Sequence, residues 1–575
     1  MNLIQLLSLL TTHPRNAREL KSLVLQLAIR GRLTSNWRIK NQTGLNQEAI
    51  FREIQISDLV DSSHLEVGNI FNSFRKDDFL PNSWFLTSFR NLALIVRGGS
   101  PRPIKDYLTD DQAGYNWIKI GDTEANGKYI YQTREKIIEE GLKKSRLVKP
   151  GDFLLTNSMS FGRPYISKIT GCIHDGWLLI RQIPSILDKD YLYLLLSSPF
   201  LKREFEKSAA GGVVKNLNIE KVKNAPVYVP PLPEQTAIVE VVNSLFAEID
   251  QLEAQTQARL GTQQDYVTAI LRELTTGSPA VVWPKLVPQF ATHFTTPAAV
   301  KRLRESILQL AVQGKLTTHW RHQQAAGEPA SVLLERIQAE KALLIREKVI
   351  KKEKPLPPIT AEEIPFELPE GWVWCRLDDI ASIIGGAAKG KKYKDETYSV
   401  PYLRVANVQR GYLDLSVIKD LEVNELDIQK YQLLKNDLLM IEGGDPDKLG
   451  RCAIWQNEIP GCIHQNHVFR VRQYLIDFLS PQYLMTFINS PVCRQYYENC
   501  AKRTTNLASI NKTQMRTTLI PLPPLAEQTA IVSKVNDLLA LCDALEIALA
   551  TQDGQLRDLM DSVVRNAVID NAEMP

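Results

Sequence analysis

The 575-residue sequence has no apolar run long enough to cross a bilayer. Its most apolar stretch near the start, Leu3 to Leu10, spans eight residues, against the ~20 that a spanning helix needs. No basic flank precedes that stretch and no small-residue cleavage site follows it, so neither a membrane anchor nor an export signal is expected. Cysteine is sparse: seven residues scattered from Cys172 to Cys542, with no CxxC pair. An odd number without pairing fits reduced thiols in a cytoplasm better than a disulfide framework. Glycine (29) and proline (31) are ordinary in number, as are the hydrophobic (44%) and charged (23%) fractions, which excludes collagen, mucin and wholesale disorder. Catalytic signatures are missing too. There is no HExxH, no GxSxG, no GxGxxG after a strand, and none of the Asn/Asp-Pro-Pro-aromatic tetrapeptides with which amino-methyltransferases hold a flipped adenine. A recognition role is expected rather than catalysis.

What the chain does have is the same text twice. Leu20 to Arg38 (LKSLVLQLAIRGRLTSNWR) aligns without a gap on Leu303 to Arg321 (LRESILQLAVQGKLTTHWR), ten of nineteen positions being identical. Further matches follow in order: LPNSW from Leu80 with LPEGW from Leu368, Lys119 with Arg404, Gly162-Arg163 with Gly450-Arg451, CIH from Cys172 with CIH from Cys462, Asn216-Leu217 with Asn506-Leu507, and EQTAIV from Glu234 with EQTAIV from Glu527. A unit of roughly 285 residues has been duplicated in tandem, and pseudo-twofold symmetry is expected. A chain of this length also suffices for at least two separate cores.

Within each unit the opening segment reads as helix, with Leu303, Ile307, Leu310 and Ala311 three and four apart and Gly314 as the stop. In the second copy a further helical run is expected from Val332 to Lys352, ahead of a proline-rich hinge from Lys354 to Pro358. The middles, 85–230 and 366–523, hold short strand-like runs such as Trp117 to Ile120, Asp152 to Thr156, Leu438 to Ile441 and Val468 to Val471, separated by Gly, Asn and Asp turns. Each unit closes on prolines followed by about forty residues free of them. There Ile238, Val242, Leu245, Ile249 and Leu252, and in the second copy Val535, Leu538, Cys542, Leu545 and Leu549, alternate steps of three and four. This is a coiled-coil seam, in helices that would reach on the order of 60 Å. A helix packed on its own domain satisfies the same pattern, but two such helices in symmetric positions favour an antiparallel pair acting as a spacer. The fold expected is therefore α+β: two mixed recognition domains separated by a pair of long antiparallel helices. The divisions are 1–75 (N-terminal helical segment), 76–230 (first domain), 231–276 (first long helix), 277–365 (helical segment and hinge), 366–522 (second domain) and 523–575 (second long helix).

Charge is uneven. The two helical segments 231–283 and 524–575 carry net −5 and −6, whereas 85–230 carries +7, 284–365 +5 and 366–523 +1, so a polyanion should meet the regions before these helices rather than the helices themselves. The candidate DNA contacts are Arg97, Arg102, Lys105, Lys119, Arg163, Lys215 and Asn216 in the first domain, and Lys389, Lys391, Lys392, Arg404, Arg451, Lys502, Arg503 and Asn506 in the second. Lysine and arginine make salt-dependent phosphate contacts, while Arg and Asn can read base edges. Gly385 to Lys392 (GGAAKGKK) satisfies the first seven positions of a phosphate-binding P-loop, but Lys392 stands where Ser or Thr should hold magnesium. A basic glycine-rich loop touching phosphates is the better reading. Cys462, His464 and His467 suggest a metal site, but the first copy keeps only Cys172 and His174, so a buried strand Cys beside a hydrogen-bonded His is expected and no metal.

With these residues in view, the unit resembles the specificity subunit of type I restriction-modification enzymes. The likeness rests on WIKIGDTEANGKYI from Trp117, EEGLKKSRLVKPGDFLLT from Glu139, NLNIEKVKNAPVYVPPLPEQ from Asn216 and PLPPLAEQTAIV from Pro521, and it covers nearly the whole chain. The resemblance implies a non-catalytic, cytoplasmic subunit that carries no cofactor. Each middle domain would read one half of a split double-stranded DNA target, asymmetric because the two domains differ, and the paired helices would fix the spacer. It also implies docking of two modification subunits that bind S-adenosylmethionine and methylate adenine, with restriction subunits that use ATP and magnesium. Two rivals would behave differently: a P-loop nucleotidase built on Gly385 to Lys391 would turn over ATP, and a coiled-coil scaffold would show no salt-dependent DNA affinity.

Overall fold

Each copy opens on an amphipathic helix, Asn16–Ile29 in the first and Pro297–Val312 in the second, whose apolar positions are buried. Both end alike. Gly31 and Gly314 take φ of +70° and +68°, and the turn closes through Gly31 N–H to Ala28 O and Arg32 N–H to Leu27 O, repeated as Gly314 to Ala311 and Lys315 to Leu310. This double bond pattern needs a left-handed residue, which glycine adopts without strain. A computed structural model describes residues 16–41, 44, 46–60, 70, 81–124, 127–157, 162–207, 217–323, 327–445, 448–504 and 507–569. The chain divides into two compact units, Met1–Leu260 with Gln555–Pro575, and Gly261–Gly554. Among the described residues no helix is long and apolar enough to cross a membrane.

In the first unit a mixed domain holds two five-stranded sheets. One runs in the order 93–97, 177–182, 153–156, 164–167, 129–130, and the other 108–109, 135–137, 115–118, 171–173, 147–148. A two-stranded clasp closes the domain, Phe85–Ser88 pairing antiparallel with Pro226–Val229. The inner strands of the first sheet are buried on both faces, as Phe153–Thr156 and Pro164–Ser167 are along their length. That is why they read as continuous rather than alternating apolar runs. The second unit repeats the plan with 381–385, 468–473, 438–441 and 452–454 in one sheet, 419–423, 398–403 and 463–464 in another, and the clasp Val373–Arg376 with Leu519–Leu522. It adds a small sheet of 443–444, 508–509 and 502–503.

The clasps lead through prolines into the long helices, Leu232–Thr276 and Leu525–Ile569. One carboxylate at the start of each ties three distant segments together. Glu234, fully buried, accepts from Thr34 Oγ1 (2.7 Å), Trp84 Nε1 (2.8 Å) and the Arg38 guanidinium. Glu527 accepts from Thr317 Oγ1 (2.7 Å), Trp372 Nε1 (2.8 Å) and Arg321. The neighbouring Gln235 and Gln528 close the junction, their amides donating to the Pro230 and Pro523 carbonyls at 2.8 and 3.1 Å. The repeated LP..W, T...R and EQ motifs are thus one structural device written in three places.

The seam residues of the first helix, Ile238, Val242, Leu245 and Ile249, are buried with Leu20 and Val24 of the opening helix, so over this stretch the helix packs on its own unit. In the second unit Ile531, Val535 and Cys542 are buried with Leu303, Ile307 and Leu310 and with Val267, Ile270, Leu271 and Leu274 from the end of the first long helix. The direction is set by polar pairs. Arg304 reaches Asp543 and Glu546 while Thr317 reaches Glu527, and Arg302 reaches Thr268 while Lys315 reaches the Thr275 carbonyl. The end of the first long helix therefore runs antiparallel to the start of the second, with Pro297–Val312 as a third helix in the cluster.

Two expectations are corrected. The helical run placed at Val332 to Lys352 spans Ala330–Arg346, because Lys348 turns left-handed at φ +61° and ends it. The segment expected to be a hinge is strapped down: Arg376 donates to the Pro357 carbonyl at 3.2 Å, and Arg516 to that of Lys354 at 2.8 Å.

Candidate nucleic-acid interface

In both domains the residue paired by the repeat, Lys119 or Arg404, precedes a short 3-10 turn, Ile120–Asp122 or Val405–Asn407. The side chain at the end of each turn caps it, Asp122 accepting from the Lys119 N–H at 2.9 Å and Asn407 from the Arg404 N–H at 3.0 Å. A cleft opens beside each turn.

In the first domain the cleft encloses about 280 Å³ and is lined by Ser100, Pro101, Arg102, Ile104, Trp117, Lys119 and His174. Of the expected contacts it brings together Arg102 and Lys119. Arg102 is exposed, 3.8 Å from Asp175, whereas Lys119 is half-buried and pairs with Glu135 at 2.5 Å. Arg97 donates to the Asp175 carbonyl at 3.0 Å. The hydrogen bond from Ser100 Oγ, 2.8 Å away, holds the Asp175 carboxyl below its ordinary range. Burial lowers the His174 pKa, and its Nδ1 lies 2.7 Å from the Gly176 N–H. Lys105 is exposed on the neighbouring turn Ile104–Asp106. Arg163 stacks over Tyr165, 5.5 Å from the ring centre. Lys215 and Asn216 lie outside the described residues, as does Asn506 of the second domain.

In the second domain the cleft encloses about 490 Å³, lined by Val405, Glu442, Gly443, Gly444, His467, Lys502, Thr504, Leu507, Ala508 and Ser509. Among the described residues Lys502 is the one expected contact in its wall. Arg503, next to it, donates to the Glu498 carbonyl at 3.0 Å. Arg404 is largely committed to structure, its Nη2 donating to the Val417 carbonyl at 2.8 Å, and Arg451 donates to Gln409 Oε1 at 2.7 Å.

The glycine-rich loop begins where the strand Ala381–Gly385 ends, and no helix follows it before the turn at Val405–Asn407. A P-loop needs a helix N-terminus at this place to cradle phosphate. Lys391 is held by Asp427 Oδ2 at 2.6 Å, whereas Lys389 and Lys392 of the same loop are exposed and have no partner among the described residues. Cys462 and His464 are fully buried at the neighbouring strand. His464 Nδ1 lies 2.6 Å from the Val468 carbonyl, and burial pushes its pKa down to about 3. His467 turns instead to Glu442. Among the described residues no group of three or more His, Cys, Asp or Glu is placed to hold a metal ion.

Reasoning from sequence alone missed Ser100, Asp175 and Glu442, single polar residues that do not recur between the two copies.

The family model for the type I restriction modification DNA specificity domain matches twice, at residues 92–261 and 369–552. Among curated proteins, the chain is 29% identical over 593 residues to the type I restriction enzyme EcoAI specificity subunit of Escherichia coli, covering 96% of this chain and 94% of that protein. It is 26% identical over 587 residues to the EcoEI specificity subunit of the same species, with the same coverage of 96% and 94%. Among solved structures, the HsdS subunit from Thermoanaerobacter tengcongensis aligns at 16% identity and a TM-score of 0.42, covering 86% of this chain and 98% of that one.

Proposed function

The chain belongs to the type I restriction-modification specificity family, and from that premise we propose that each of its two domains reads one half of an asymmetric bipartite sequence in double-stranded DNA. The observation that carries this reading is a pair of unlike clefts on one repeated scaffold: Ser100, Arg102, Lys119 and His174 in the first, Glu442, His467 and Lys502 in the second. A shared scaffold gives both domains the same way of approaching a duplex, and different side chains give them different bases. The exposed cations at Arg102, Lys105, Lys389, Lys392 and Lys502 supply phosphate contacts, which position the protein and make its affinity fall with salt.

The long helices, on this reading, set the unread spacer and dock two modification subunits, which carry S-adenosylmethionine and methylate adenine. Restriction subunits that use ATP and magnesium complete the enzyme, in the cytoplasm beside the DNA. The chain itself neither methylates nor cleaves; its contribution is to place the duplex against the partners' chemistry.

Exchanging residues 85–230 for the corresponding domain of a relative tests this. The methylated motif should change in one half-site and keep the other half and the spacer. A simultaneous change in both halves overturns the modular reading.

A further inference from the structure

The cleft of the second domain contains a feature that phosphate binding does not explain. Glu442 is placed in its wall beside Lys502, and its side chain is 30% exposed. A carboxylate facing a duplex repels every phosphate, and DNA offers few groups that could donate to it. Two constraints hold this one in place. Its backbone is pinned, the Glu442 N–H donating to the His467 carbonyl at 3.0 Å and its own carbonyl accepting from the Ile510 N–H at 2.9 Å. Its side chain is held by His467, Nδ1 to Oε2 at 2.5 Å, while His467 Nε2 lies 3.3 Å from the Asn466 amide. With that amide donating to Nε2, the ring carries its proton on Nδ1 and donates it to Glu442. Among the described residues Glu442 Oε1 accepts no hydrogen bond. The following Gly443 passes so close to the Ala508 carbonyl that no side chain fits there, which keeps the floor of the cleft open.

We propose that Glu442, oriented by His467, reads the N4 amino group of a cytosine in the half-site of the second domain. The base follows from the groove chemistry. Guanine shows only acceptors at N7 and O6 in the major groove, adenine sets its amino group beside the N7 acceptor, and thymine shows O4 and a methyl group. Cytosine presents its amino donor beside C5–H, with no acceptor next to it on its own ring, so a carboxylate can accept from it without facing an N7 lone pair. Lys502 in the same wall takes a phosphate.

The effect belongs to one domain. The equivalent position in the first is Asn157, which follows the strand Phe153–Thr156 as Glu442 follows Leu438–Ile441. Its N–H donates to the carbonyl of the residue before the paired strand, Gly176, as that of Glu442 does to His467. Asn157, however, is buried, and its amide donates to the Asp175 carbonyl at 2.7 Å, so it does not face the cleft.

This inference rests on the proposed function, and one experiment separates the two. The full chain, wild type or carrying E442Q, E442D or H467Q, is expressed with its modification partners and the methylated motif is mapped. The wild-type motif should contain a cytosine in the half-site that follows the second domain. In E442Q, discrimination at that position should fall by about 5- to 150-fold, the span of one base contact, with adenine gaining, because a carboxamide can pair with N6 and N7 together. The other half-site and the spacer should not change. E442D should keep cytosine at reduced efficiency, and H467Q should relax the same position. Where a variant no longer methylates, competitive binding to targets carrying each base in turn reads the same discrimination. A second half-site without cytosine, or full discrimination retained in E442Q, overturns the role of Glu442 while leaving the function intact. A wild type without a bipartite motif overturns the function itself.

Discussion

Replacing Glu527 by alanine tests whether the start of each long helix is a lock rather than a surface ion pair. The carboxylate is almost fully buried, and Thr317, Arg321 and Trp372 all donate to it. Surface pairs contribute ~0–1 kcal/mol, whereas removing one member of a buried pair costs ~3–5 kcal/mol because its partner is left unsatisfied. Arg321 keeps a side-chain exposure of 21% and can recover part of its hydration, so the low end, about 3 kcal/mol, is expected. For a unit of this size that lowers its melting temperature by roughly 6–12 °C. Since the chain has two units, a single two-state melt does not report it; hydrogen exchange with mass spectrometry does. In E527A, residues 297–321 and 368–376 should lose protection while 16–38 keep theirs, and E234A should give the mirror image. W372F in the E527A background should cost less than W372F alone, because the two act on one network. A loss below about 1 kcal/mol, or equal loss of protection in both units, would refute the lock.

Gly314→Ala should destabilise the second unit by at least about 1 kcal/mol, read as a shifted denaturation midpoint, because the residue sits at φ +68° and a Cβ would stand 2.7 Å from Pro369 Cγ. His464 predicts an acid dependence. Its folded pKa of about 3 lies below the ordinary 6.5, so its contribution is whole above pH 6.5 and is lost as pH falls from there toward 3. At pH 5 the loss should be about 2 kcal/mol, and denaturant titrations of H464Q should show a flatter pH profile. A matched four-residue insertion in the two long helices, placed after Leu252 and Leu549 beyond the buried seam positions, adds about 6 Å and turns the helix by about 400°. The apolar stripe returns near register, and motif mapping should find a spacer longer by nearly two base pairs with both half-sites unchanged; an unchanged spacer would assign the distance to the partner subunits.

The duplication and the long helices are legible in sequence because both are periodic signals that survive divergence. Ten identities in Leu20 to Arg38, and seams such as Ile238 to Leu252, need no tertiary knowledge. The helix stops at Gly31 and Gly314 are legible for a similar local reason. The lock is not, since Trp84 and Glu234 stand 150 positions apart and nothing in either motif names its partner. The strand runs show where strands lie but not their order, because order is set by distant pairings such as Ala93–Arg97 with Trp177–Gln182, and a run buried on both faces, such as Phe153–Thr156, carries no register in its apolar pattern. Among the site residues, lysines and arginines stand out by charge, yet Lys119, Lys391 and Arg451 turn out to hold protein partners. Glu442, a carboxylate in a cation-bearing cleft, gives no local signal at all, and its setting exists only once Val468–Gln473 has paired with Leu438–Ile441 and Ala508–Ser509 with Gly443–Gly444.

The most direct measurement is a map of methylated adenines across the host genome, with this chain present and with it deleted. An asymmetric motif in two parts, separated by a fixed unread spacer, should be methylated in the first case and absent in the second. It should return, unchanged, when the chain is supplied again. A methylation pattern that is the same with and without the chain would contradict the central claim that this protein chooses the sequence.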